Sequence, residues 1–175
     1  MTKHDTRQAE PMRWPWSPRT ALPADALYRR VVALAREPMW YEAGQVPDTT
    51  DGRFDMVALV TALLLRRIET AGEAQFAVDL TERFIADMDG SLRQLGMGDP
   101  TVGKQVGHMV AALGGRLGAY RDALDGGADL SEALARNLYR GTAPPEALAW
   151  ATGRVRDLAA RIDAAPLDKL RQGSL

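Results

Sequence analysis

The 175-residue chain has no cysteine, which excludes disulfides, thiolate metal sites and thiol catalysis. It has only two histidines. His4 falls in an expected tail and His108 inside a helical pattern, where a lone imidazole is more often packing or surface than a ligand. Aromatic residues make up only 6%, so aliphatic side chains and alanine must form most of the core. Neither sign of charge dominates: 22 basic residues face 23 acidic ones, with a pI near 6.1. That balance argues against a general nucleic-acid binder. The longest apolar run, Met56–Leu65, has about half the length needed to cross a bilayer. The first residues hold no apolar stretch of signal-peptide type, and Asp5 and Glu10 weigh against a transit peptide. A soluble protein, cytoplasmic or at most peripheral to a membrane, is expected. No β-type alternation and no internal repeat occurs.

What the chain does have is helical periodicity, at a length that suits one domain with a substantial core. Residues 1–20 read as a flexible lead-in broken by Pro11, Pro15 and Pro18, residues 21–170 as the folded unit, and 171–175 as a tail. In the lead-in, Trp14 and Trp16 alternate with Arg13 and Arg19. That combination suits a lipid headgroup layer, a fold-back over the domain, or a partner. A first helix is expected over Ala24–Arg36, burying Leu27, Val31 and Leu34 and stopping before Pro38. Met39–Arg53 reads as a loop, though Met39, Trp40 and Tyr41 are too apolar for an idle one. Phe54–Ile68 follows, its wide apolar face marking the most buried helix. Then come Glu73–Leu95, Thr101–Leu124, and a short helix opened by the capping box Asp129-Leu-Ser-Glu132 and ended by Gly141. The last helix starts at Pro144-Pro145 and closes at Pro166. The fold class expected is all-α: a single-domain bundle of about six helices, antiparallel where connections are short.

The stretch from Phe84 to Lys104 imitates two phosphate motifs. Asp87-Met-Asp89-Gly-Ser has the form of the haloacid dehalogenase-type signature, in which Asp87 would attack phosphorus beside Mg²⁺ and Asp89 would protonate the leaving oxygen. That chemistry needs Asp87 at the end of a parallel strand. Here Phe76, Leu80, Phe84 and Met88 recur every fourth residue, and Leu92 and Leu95 continue the row, which is helical spacing. On a helix the two carboxylates lie about 200° apart and do not share a metal. A Mg²⁺-dependent phosphatase is therefore the alternative reading rather than the leading one. Gly98-Asp-Pro-Thr-Val-Gly103-Lys104 imitates a P-loop, but Gln105 stands where Ser or Thr should bind Mg²⁺. Pro100 also lacks one of the N–H groups that would cradle phosphate. A helix–helix junction explains the segment better: glycines end one helix and Asp99 or Thr101 caps the next.

The helix at 101–124 has an unusual surface. Val102, Val106, Met109, Leu113, Leu117, Tyr120 and Leu124 form one apolar stripe. Beside it Gly103, Gly107, Ala111, Gly114 and Gly118 make a ridge almost without side chains. Each helical glycine costs about 0.8–1 kcal/mol relative to alanine, so close packing on the ridge is expected. Either another helix of the same domain crosses it tightly, or it is a slot for a partner helix.

Five segments resemble the ubiquinol–cytochrome c chaperone family, over about Tyr28–Tyr139. They are Val46–Met56 (VPDTTDGRFDM), Asp87–Arg93 (DMDGSLR), Gly96–Asp99 with Val102-Gly-Lys104, Gly115-Arg116 with Ala119-Tyr120, and Arg136–Tyr139 (RNLY). The chain departs from the family pattern at Leu113 and Gly114, where an aromatic pair usually precedes Gly-Arg. The resemblance implies a non-enzymatic assembly chaperone for the respiratory ubiquinol–cytochrome c reductase. Its implied partner is newly made cytochrome b or another subunit, and no cofactor or metal is implied. It also implies a bacterial-type member, peripheral at most to the inner membrane, with ribosome contact left open.

The expected partner-binding residues are Met39, Trp40, Tyr41, Asp48, Asp51, Arg53, Phe54, Asp87, Asp89, Arg93, Lys104, Gly107, Gly114, Arg116 and Tyr120. Met39, Trp40 and the glycine ridge are expected to share a concave face rimmed by Arg53, Lys104 and Arg116. Structural roles compete with binding for several of these. Asp48, Asp51 and Asp55 are candidate caps of the second helix. Asp87, Asp89, Arg93, Lys104 and Arg116 are candidates for a charge network between the third and fourth.

Overall fold

The computed structural model describes residues 24–175, and in these the chain is helical without any strand. In order the helices are α1 (Asp25–Ala35), α2 (Met39–Glu42), α3 (Thr50–Thr70), α4 (Ala74–Gln94), α5 (Asp99–Asp125), α6 (Leu130–Asn137), α7 (Pro145–Ala164) and α8 (Leu167–Arg171). The expected N-terminal boundary near residue 20, and Trp14 and Trp16 with it, lie outside the described residues.

The nearly unbroken apolar run makes α3 the axis of the fold. Every residue from Asp55 to Arg66 is buried, and α1, α4, α5 and α7 pack around it. Leu27, Val31 and Leu34 of α1 point inward as their spacing predicts, as do Phe76, Leu80 and Phe84 of α4 and Val155, Leu158 and Ile162 of α7. Full burial of such a side chain stabilises by about 1.5–3 kcal/mol. At the far end of α3 the buried guanidinium of Arg66 reaches Asp125 and Asp163, each at 2.5 Å, tying the last turns of α5 and α7 to the axis.

The start of α3 corrects one expectation. Its cap is Thr49, whose hydroxyl accepts from the Gly52 N–H at 3.1 Å, and none of the three nearby aspartates serves as that cap. Gly52 is required here because a Cβ would lie 1.9 Å from the Pro47 carbonyl oxygen. The Val46–Thr49 segment thus folds tightly back over the first turn of α3.

Among the described residues two short helices raise the expected six to eight. In α2 the sequence Met39-Trp40-Tyr41-Glu42 makes a single turn that directs Trp40 into the core. In α8 Leu170 is buried, and Arg171 lies 4.3 Å over the Phe76 ring. Elements of four or five residues are too short to show a helical period.

The α4–α5 hairpin projects beyond the main core. Leu92 and Val102 are buried but belong to no part of the central cluster. Gly96 ends α4 in the left-handed conformation (φ 81°), and Pro100 sits in the first turn of α5, as a junction requires. Among the described residues no helix is long and apolar enough to cross a membrane.

Candidate functional site

The phosphate-like motifs resolve into structural joints. Asp87 and Asp89 lie on α4, where a helix rather than a strand carries them. Asp87 accepts a 2.8 Å hydrogen bond from the Tyr28 hydroxyl, which burial and then the Asp87 charge hold well above the usual phenol range. Asp89 pairs with Arg93 at 2.7 Å, and Arg93 also bonds Asp99 at the start of α5. Those two carboxylates hold the Arg93 guanidinium above its ordinary range. Among the described residues no group of three acidic, histidine or cysteine side chains converges as a metal site would need.

The expected charge network therefore divides into separate units. Tyr28–Asp87 joins α1 to α4, and Arg93 closes the hairpin tip. Arg116 belongs to a third unit, while Lys104 stands exposed on α5.

That third unit is built on Asp55, a fully buried carboxylate near the start of α3. Arg116 of α5 reaches it at 2.6 Å and Arg140, just beyond α6, at 2.9 Å. Arg116 also donates to the carbonyls of Ala112 and Asn137, and its guanidinium lies 5.5 Å over the Phe54 ring. Arg140 extends to Asp51 at 2.8 Å and adopts a left-handed backbone conformation, φ 52°. A non-glycine residue persists there only when its surroundings hold it, and two carboxylates do so here. Beneath them Tyr120 is fully buried, and burial raises its phenol well above the ordinary range.

Asp55 and Arg140 are the residues that sequence reasoning did not place at the site. A signal existed, because Asp55, Leu59, Leu63 and Arg66 share the spacing of one buried face. Charges at both ends of such a face must be paired.

This unit forms one wall of an open groove of about 390 Å³. Thr50, Asp51 and Phe54 line it from α3, and His108, Met109, Ala112 and Arg116 from α5, with Arg140 closing one end. By helical azimuth, at about 100° per residue, the glycine ridge faces another way, about 165° round α5 from the residues that line the groove. The ridge is open. At Gly103, Gly107, Gly114, Gly115 and Gly118 a Cβ would meet no other atom within 4 Å. The internal helix crossing offered as one explanation is therefore absent among the described residues.

Of the expected partner residues, Asp51, Phe54 and Arg116 line the groove, whereas Gly107 and Gly114 lie on the open strip on another face of α5. Met39 and Trp40 do not join them. The Trp40 indole N–H donates to the Leu34 carbonyl at 3.0 Å, and its ring meets Trp150 of α7 edge-on at 5.7 Å. Met39 lies beside Arg154 of α7, 3.2 Å from Sδ to Nη2. Tyr120 is buried beneath α5 rather than exposed on it, and Trp40 is buried against α7. Tyr41 caps the Ala35 carbonyl, and Arg53 pairs with Asp48 at 2.6 Å on the rim of a different groove with Arg36. The single concave face expected from the sequence is thus divided, because Trp40 fills the space against α7 rather than facing α5.

Tyr139 completes the scaffold. Its hydroxyl donates to the Gly44 carbonyl at 2.6 Å, and burial pushes its phenol up to about 12.

Comparison with known proteins agrees with this architecture. The sequence model of the family described as ubiquinol-cytochrome C chaperone matches residues 42–175. The crystal structure of the Cbp3 homolog from Brucella abortus is similar, with a TM-score of 0.74 and 31% identity, covering 87% of this chain and 87% of that one. No curated protein matches. A family match over most of the chain, and an all-helical relative alike along most of its length, lead to one conclusion: the chain belongs to the ubiquinol–cytochrome c chaperone family.

Proposed function

We propose that this protein is an assembly chaperone for the ubiquinol–cytochrome c reductase and holds newly made cytochrome b against the outer face of α5. The observation that carries the reading is the open glycine strip. Each of its glycines costs the helix about 0.8–1 kcal/mol relative to alanine, and no contact within the described chain offsets that. A client helix would, because small residues let two helix backbones approach closely and gain dispersion contacts along their length.

The groove on the other side of α5 offers a second, separate contact. Phe54, Met109 and Ala112 offer apolar contact, and Met109 adapts to irregular partners. The Asp51–Arg140–Asp55–Arg116 cluster gives that second contact a rigid polar edge for a polar segment of the client. Binding of this kind needs no nucleophile and no cofactor.

Co-purification from detergent-extracted membranes tests the proposal. Recovery of cytochrome b with the tagged chain is the expected result. Recovery of unrelated partners, with no reductase subunit among them, would contradict it.

A further inference from the structure

A second apolar surface lies on α4, away from the proposed client face. Val78 is 48% exposed, one of few large apolar side chains so exposed among the described residues. With Ala74, Ala77 and Thr81 it forms a groove of about 300 Å³, flanked by the carboxylates of Glu69 and Glu82. Glu69 is engaged by Arg121, whereas Glu82 has no ion-pair partner among the described residues. The surface is thus apolar in the middle and acidic at the edge.

The described chain begins beside this helix. Asp25 pairs with Arg83 of α4 at 2.5 Å, so the polypeptide preceding Ala24 starts next to α4. That polypeptide contains Arg13-Trp-Pro-Trp-Ser-Pro-Arg19, two indoles flanked by two cations with no acidic residue between them. We propose that this N-terminal segment covers the Val78 groove with a tryptophan and sets its arginines against the acidic rim.

The reach is sufficient. From Arg83 to Val78 is five residues along the helix, about 7–8 Å, and half the circumference of a helix with its side chains is about 16–19 Å. The eight residues from Trp16 to Pro23 span up to about 26–29 Å when extended. An indole covering the groove would remove exposed apolar surface from water, and Arg13 or Arg19 would pair with Glu82 and with Asp79 on the outer face of the same helix.

The absence of native cysteine gives a clean test in the full chain. A Ser17→Cys, Thr81→Cys variant keeps both tryptophans and Val78, and is compared with a Ser17→Cys, Ala111→Cys variant whose second thiol sits on α5. Under mild oxidation the first pair is expected to close an intramolecular disulfide at least fivefold faster than the second. Adding Val78→Asp to the first pair is expected to abolish that advantage, with the fold checked by circular dichroism. Equal rates for the two pairs would overturn the proposal, since they would report random collision. Disulfide-linked dimers from the first pair would also overturn it, assigning the groove to a second copy.

Discussion

Helices α3 and α5 lie side by side and use their sequences in opposite ways. In α3, 14 of 21 residues are buried; in α5, four of 27 are. The first is defined by what the domain needs, because nearly every side chain meets a neighbour. The second meets the domain along one narrow stripe, with Leu113 and Tyr120 at its centre, and turns glycine and alanine outward. The difference separates residues that hold the fold from residues whose cost the fold does not explain.

Substitution on the two helices should break the symmetry sharply. Leu63→Ala, in the middle of α3, should destabilise by about 2–5 kcal/mol through lost transfer energy and a residual cavity. Chemical denaturation measures this directly. Arg116→Ala sits where the helices meet and should cost about 3 kcal/mol. It leaves the buried Asp55 carboxylate with only the half-exposed Arg140 as its cation. At the other end of the scale, Gly107→Ala and Gly114→Ala should each stabilise by about 0.8–1 kcal/mol, because the Cβ enters open space. A destabilising effect there would mean that the strip is covered within the protein.

Between those extremes lies a pH effect that sharpens the same contrast. Tyr28, Tyr120 and Tyr139 bury their phenols in the core around α3, and all three titrate above the ordinary value near 10. A pKa raised in the folded state means that the unfolded chain loses its proton first. The stabilisation is complete below about pH 10 and is lost as pH rises toward and through the folded values. Melting temperature should therefore hold up to about pH 9–10 and fall steeply above it. In Tyr139→Phe, whose ring cannot ionise, the fall should be shallower although the starting stability is lower for want of the Gly44 hydrogen bond.

The long helices were legible because their apolar residues repeat at three and four over several turns, and α4 could be told from a phosphatase strand on that ground alone. Trp40 was visible as too apolar for loop. Its destination was not, since a single turn carries no period and the indole's partner, Trp150, is 110 residues away in sequence. The polar site was harder. Asp55 joins residues from α3, α5 and the turn after α6, and pairing across that distance leaves no local pattern. The glycine ridge was plain in the sequence, but whether something covered it depends on the placement of every other helix.

The open strip on α5 is the centre of the account, and one double substitution tests it. Gly107→Leu with Gly114→Leu fills the strip with two side chains whose Cβ atoms enter open space. The account predicts a melting temperature equal to or above that of the parent, with recovery of cytochrome b from membranes reduced at least tenfold. Unchanged recovery at unchanged stability would contradict it.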